Sequence, residues 1–143
     1  MTYATQQDLV DRFGTQELAQ LTDAAAGVTI NVTTVARALA DADAEINTRL
    51  SAHYILPLAS VPAVLVRVAA DLARYYLWDA QATEQVRNRY KDAIKLLDQV
   101  GGGALSLPGA TPLALAPSAQ AVAVRTATRQ FSADLLDRYA PGS

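Results

Sequence analysis

A chain of 143 residues is long enough for one ordinary domain and too short for two comfortable ones. With 51% hydrophobic and 18% charged residues it has the material for a core. Twelve basic side chains against 14 acidic ones lack the positive excess of a dedicated nucleic-acid binder. There is no cysteine and His53 is the only histidine, which excludes disulfides, thiolate metal sites, cysteine nucleophiles and multi-histidine zinc sites.

The opening MTYATQQDLV lacks the basic and apolar regions of a signal peptide, so synthesis in a cytoplasm is expected. Thr5 and Asp8 form a Thr-x-x-Asp box that starts a short helix, ended by Gly14. Thr15 recaps a second turn running to about Leu21. Residues Thr22 to Val32 read as a loop, with Gly27 and Asn31 as turn residues. The first long helix is expected from Thr33 or Thr34 to about Ala52. Its apolar positions Val35, Leu39, Ala42, Ile46 and Leu50 lie on one face.

His53 to Ala59 cannot continue that helix, because Pro57 disfavours the α region at Leu56. The segment is too apolar for a free loop and should pack on the bundle. Pro62 suits the first turn of the next helix, which buries Leu65, Val68, Leu72 and Tyr75 or Tyr76 and fades near Ala80. This stretch is no membrane span, since it carries Arg67, Asp71 and Arg74, spaced to pair with one another. Thr83 caps the last long helix, with Glu84 at the positive end of its dipole. Val86, Tyr90, Ala93, Ile94, Leu97 and Val100 form its buried stripe, and Gly101 to Gly103 stop it.

Residues 1–100 hold 9 of the 12 basic and 12 of the 14 acidic side chains; residues 101–143 hold 5 of the 7 glycines and 4 of the 6 prolines. The expected organisation is a helical bundle over 1–100 followed by an extended, Gly/Pro-punctuated tail over 101–143. The fold class is therefore all-α: a small bundle of three long helices plus a short N-terminal helix. Within the tail, Ala121 to Thr126 alternates as a single strand would and needs a partner edge. Phe131, Leu135 and Tyr139 lie four apart, as on one side of a short helical turn. Such a tail cannot bury its own apolar groups, so it is expected to bind another chain.

No polar constellation reads as a catalytic or metal site, and no cofactor is expected. Asp41 and Glu45 share a helix face while Asp43 points away, which reads as a solvated face. His53 has no Gly-x-Ser-x-Gly elbow to serve and reads as structural. Arg87, Lys91 and Lys95 form a basic stripe that faces solvent, a neighbouring subunit or duplex phosphate, with Arg89 set to one side. Tyr75, Tyr76 and Trp78 make an aromatic edge suited to core packing or an interface. The triple glycine lacks the Lys-Ser or Lys-Thr of a phosphate loop.

Four strings do carry a resemblance: MTYATQQDLVDRFG, QELAQLTD, ARALADADAEINTRLSAHYILPLASVPAVLVRVAADLARYYLWD and VRNRYKDAIKLLDQVGGG. Over residues 1 to about 103 the chain resembles the Mu-like prophage family of small virion-morphogenesis proteins encoded among head genes. The resemblance implies a non-enzymatic structural protein of the neck of a tailed phage, assembled in the host cytoplasm. It further implies an adaptor-type connector, a homo-oligomeric ring of about twelve copies beneath the portal protein, which continues the DNA channel towards a stopper or tail protein. Duplex DNA would pass without sequence-specific binding, and no membrane is involved. Val122, Val124, Phe131, Leu135 and Tyr139 are the expected docking residues on the portal or an adjacent subunit. A stopper or tail-completion protein at the same junction, or a regulatory or DNA-contacting helical module, remain the alternatives.

Overall fold

The computed structural model describes residues 2–113. These residues form an all-α bundle of α1 (Gln6–Phe13), α2 (Thr15–Thr22), α3 (Val32–Leu50), α4 (Ala63–Trp78) and α5 (Glu84–Gly101), with a 3-10 turn at Asp79–Gln81. The strand expected at Ala121 to Thr126 and the docking residues Val122, Val124, Phe131, Leu135 and Tyr139 lie outside the described residues.

Local chemistry sets the helix ends. The Thr5 hydroxyl accepts from the Asp8 amide at 3.3 Å, and the Thr5 amide donates back to the Asp8 carboxylate at 2.8 Å, a complete capping box. Gly14, at φ 92°, separates α1 from α2. The α3 helix starts slightly before the expected Thr33, because the Asn31 side chain accepts from the Thr34 amide and caps it. Thr83 does the same for α5 through the Val86 amide.

The core lies where α4 meets the other four helices. Leu65, Val68, Ala69, Ala70, Leu72 and Ala73 are all buried on α4. Val35, Leu39, Ala42, Ile46 and Leu50 meet them from α3, and Ala93, Leu97 and Val100 from α5. Tyr75 stacks on Tyr90 with ring centroids 4.0 Å apart, and Tyr76 meets the same ring edge-on. Of the aromatic edge, Tyr75 and Tyr76 thus form a joint between α4 and α5.

Two features depart from expectation. First, the compact unit continues through Leu113, past the glycine triplet. Leu107 is buried, and its amide donates to the Tyr54 hydroxyl at 3.1 Å. The Ile55 amide donates to the Thr111 carbonyl at 3.0 Å, the Leu113 amide donates to the His53 carbonyl at 2.8 Å, and Tyr54 and Pro112 form an antiparallel bridge. The 53–58 segment and the chain after α5 cover one another, satisfying backbone groups that neither could satisfy alone. Second, Gly101 belongs to the helix. A Cβ there would run into the Arg49 carbonyl oxygen of α3, so glycine is what lets α3 and α5 close at this end. The left-handed stop falls at Gly103, φ 83°, against the His53 ring.

Asp23 organises the loop before α3. Its carboxylate accepts from the amides of Ala25, Ala26, Val28 and Thr29, which together hold its pKa below the ordinary value, with Ala26 the largest contributor.

Two substitutions test this description. By helix propensity alone Gly101→Ala would stabilise by up to about 1 kcal/mol; the contact with Arg49 instead predicts a loss of about 1–3 kcal/mol, read by urea unfolding. Asp23→Ala is expected to lower Tm at neutral pH. A depressed carboxylate stabilises the fold above its unfolded pKa of about 3.9 and ceases to as pH falls through the lower folded value. The difference in Tm should therefore shrink in that acidic window.

Candidate interaction surfaces

Several expected surface residues turn out to be tied into the fold. On α3 the Asp43 carboxylate accepts the Tyr3 amide at 3.0 Å, and Asn47 accepts the Tyr3 hydroxyl at 2.6 Å. Tyr3 is thereby buried against the helix, and Asp43 is an anchor rather than part of a solvated face. Burial raises the Asp43 carboxyl above its ordinary range, against the lowering effect of the Tyr3 amide. Glu45 pairs with Arg49 at 2.7 Å, and Arg49 also reaches Asp98 of α5. Asp41, Asp43 and Glu45 do not converge, and no metal-holding cluster occurs among the described residues.

The trio Arg67, Asp71 and Arg74 does not pair internally. Arg74 makes a two-pronged contact with Glu17 of α2, at 2.7 and 3.1 Å, and its guanidinium lies 4.4 Å from the centre of the Phe13 ring of α1. One side chain of α4 therefore fastens both N-terminal helices. Asp71 instead looks towards Arg89 of α5 at 3.9 Å. Burial pushes the Asp71 carboxyl up, opposed by the guanidiniums of Arg89, Arg67, Arg12 and Arg74.

Arg87, Lys91 and Lys95 are exposed, and none has a salt-bridge partner among the described residues. Arg89 lies about 160° round the helix from Arg87 and Lys91. It lines a separate cleft of about 420 Å³ together with Arg12, Phe13, Arg67, Val68, Asp71, Asp92 and Ala93. No sequence spacing marked this cleft, because its arginines come from three different helices. A third surface is apolar: Ile55, Leu105 and Leu113, 48%, 42% and 39% exposed, gather around the Tyr54–Pro112 bridge. His53 sits at this end as a packing residue, edge-on to Tyr54 at 5.0 Å. None of the described helices is long and apolar enough to cross a membrane.

Arg74→Ala should destabilise the bundle by about 1–3 kcal/mol, through the loss of Glu17's partner and the Phe13 contact. The triple variant R87E/K91E/K95E should change stability by no more than about 0.5 kcal/mol per site, because these groups are exposed and have no salt-bridge partner among the described residues. Chemical unfolding of both variants checks the contrast.

The family described as Bacteriophage Mu, Gp36 matches residues 3–126. The Mu-like prophage FluMu protein gp36 of Haemophilus influenzae is 38% identical over 105 residues, covering 73% of this chain and 74% of that protein. Gene product J of Escherichia phage Mu is 38% identical over 104 residues, covering 72% of this chain and 74% of that protein. The compact helical unit, from Tyr3, which packs against α3, to the segment that folds back after α5, falls within the matched span, and the chain belongs to the bacteriophage Mu Gp36 family.

Proposed function

We propose that this protein is a structural, non-enzymatic component of a Mu-like phage particle, acting at the neck as an adaptor ring between the portal and the tail. The observation that carries the reading is the reach of the family match, which runs to residue 126 and so past the end of the compact unit at Leu113. A family built from a helical unit plus a further length of chain suits subunits that engage their neighbours. In this reading heterologous contacts between copies close a ring of about twelve around the channel. Val122, Val124, Phe131, Leu135 and Tyr139 dock on the portal or an adjacent subunit. The near-balanced charge, net -2, lets duplex DNA slide past without sticking.

The stripe of Arg87, Lys91 and Lys95, exposed and without a salt-bridge partner among the described residues, favours a second reading, a helical module that contacts duplex phosphate. That module would show a log affinity falling against log salt by about 0.9 for each phosphate neutralised.

Light scattering of the protein alone and mixed with its portal separates these. A ring-sized species, alone or only with the portal, is the expected result. A monomer or dimer that ignores the portal and binds duplex in a salt-dependent way would overturn the neck reading. A stopper or tail-completion protein would instead join a preformed portal–adaptor complex. Removing residues 114–143 should leave the bundle folded with its Tm intact and abolish portal attachment. Cutting at residue 104 would also strip Leu107 from the core, so Tm should fall as well.

A further inference from the structure

The cleft between α1, α4 and α5 brings three guanidiniums to one concave site: Arg12, Arg67 and Arg89. Among the described residues Arg12 and Arg67 have no salt-bridge partner, and Arg89 reaches only Asp71, at 3.9 Å. Asp71 has a 14% exposed side chain and sits deep in the site, whereas Asp92 is exposed at its rim. The cleft therefore keeps an excess of positive charge. Val68 and Ala93, both buried, give it an apolar base beside the Phe13 ring.

We infer that this cleft is a docking site for an acidic side chain, aspartate or glutamate, carried beside an apolar residue on a protein partner. A guanidinium presents paired donors that match a carboxylate in its own plane, and three such forks around one cavity can bind it from several directions. The apolar base takes the neighbouring residue, and arginine is among the residues that dominate the binding energy of protein interfaces once a partner covers it. A volume of about 420 Å³ suits one or two side chains. Nucleic-acid phosphate is the poorer fit: Arg87, Lys91 and Lys95 do not line the cleft, and Arg87 and Lys91 lie about 160° round α5 from Arg89, so no continuous basic track leads through it. This inference is independent of where in a particle the protein sits.

The test uses the full-length chain, with the arginine Nε–Hε signals followed by NMR. The probes are N-acetyl-Leu-Glu-amide, its Leu-Gln counterpart and inorganic phosphate. The glutamate compound should shift the Arg12, Arg67 and Arg89 signals saturably and bind about tenfold more tightly than either of the others. Arg67→Gln should weaken it about tenfold, Asp71→Asn should tighten it, and Arg87→Gln should change nothing. Since Arg67 is exposed and unpaired among the described residues, an unchanged Tm will show that R67Q remains folded. Equal binding of the glutamine compound, tighter binding of phosphate, or indifference to R67Q would overturn the assignment.

Discussion

The bundle depends on α4 being narrow where its neighbours cross it. Ala69, Ala70 and Ala73 are wholly buried, and short side chains at these places let α3 and α5 approach the backbone of the central helix. Leu65, Val68 and Leu72 then fill the space between. Dense packing of this kind leaves little tolerance, since a larger side chain at an alanine position would force helices apart. The same helix fixes the N-terminal pair through Arg74. Core and periphery are organised around one element, with small residues inward and a two-pronged arginine outward.

That centrality explains why the candidate interaction surfaces sit where they do. The flanks of α5 differ chemically: one carries Arg87, Lys91 and Lys95 into solvent, the other sends Arg89 towards Asp71 of α4. One face is an open row of charges on flexible stems, worth little until something approaches it. On the other, the Asp71 side chain is only 14% exposed, so that carboxylate is less screened than the charges of the open row. The membership in a phage family describes what the chain is related to, while these two faces describe what it has to offer a partner.

Much of the bundle was legible from the sequence because the signals are local. Thr5 with Asp8, Thr83 with Val86, and the apolar stripes of α3, α4 and α5 depend on residues within a turn or two of each other. The contacts that escaped reading join residues far apart in the chain. In the sequence Asp43 reads as a solvated carboxylate pointing away from Asp41 and Glu45, and only the arrival of Tyr3, forty positions away, makes it an anchor. Arg74 had acidic candidates nearby in sequence yet chose Glu17, 57 positions away. By sequence the glycine triplet reads as one stop signal. It performs separate tasks: Gly101 admits the α3 backbone, and Gly103 makes the turn against His53. Of the interaction surfaces, the α5 stripe shows in its four-residue spacing, and the arginine cleft does not show at all. A cleft whose walls come from three helices leaves no period to find.

The Tyr54–Pro112 bridge has a mechanical consequence. Because the Leu113 amide is bonded to the His53 carbonyl and the Ile55 amide to the Thr111 carbonyl, tension applied beyond Leu113 first meets the connection between α3 and α4. It reaches the C-terminal end of α5 only after these bonds and the Leu107–Tyr54 contact have given way. The clamp thus works as a strain relief: a tug on the C-terminal side is spread into the middle of the bundle, and the last helix is shielded from being peeled off end first.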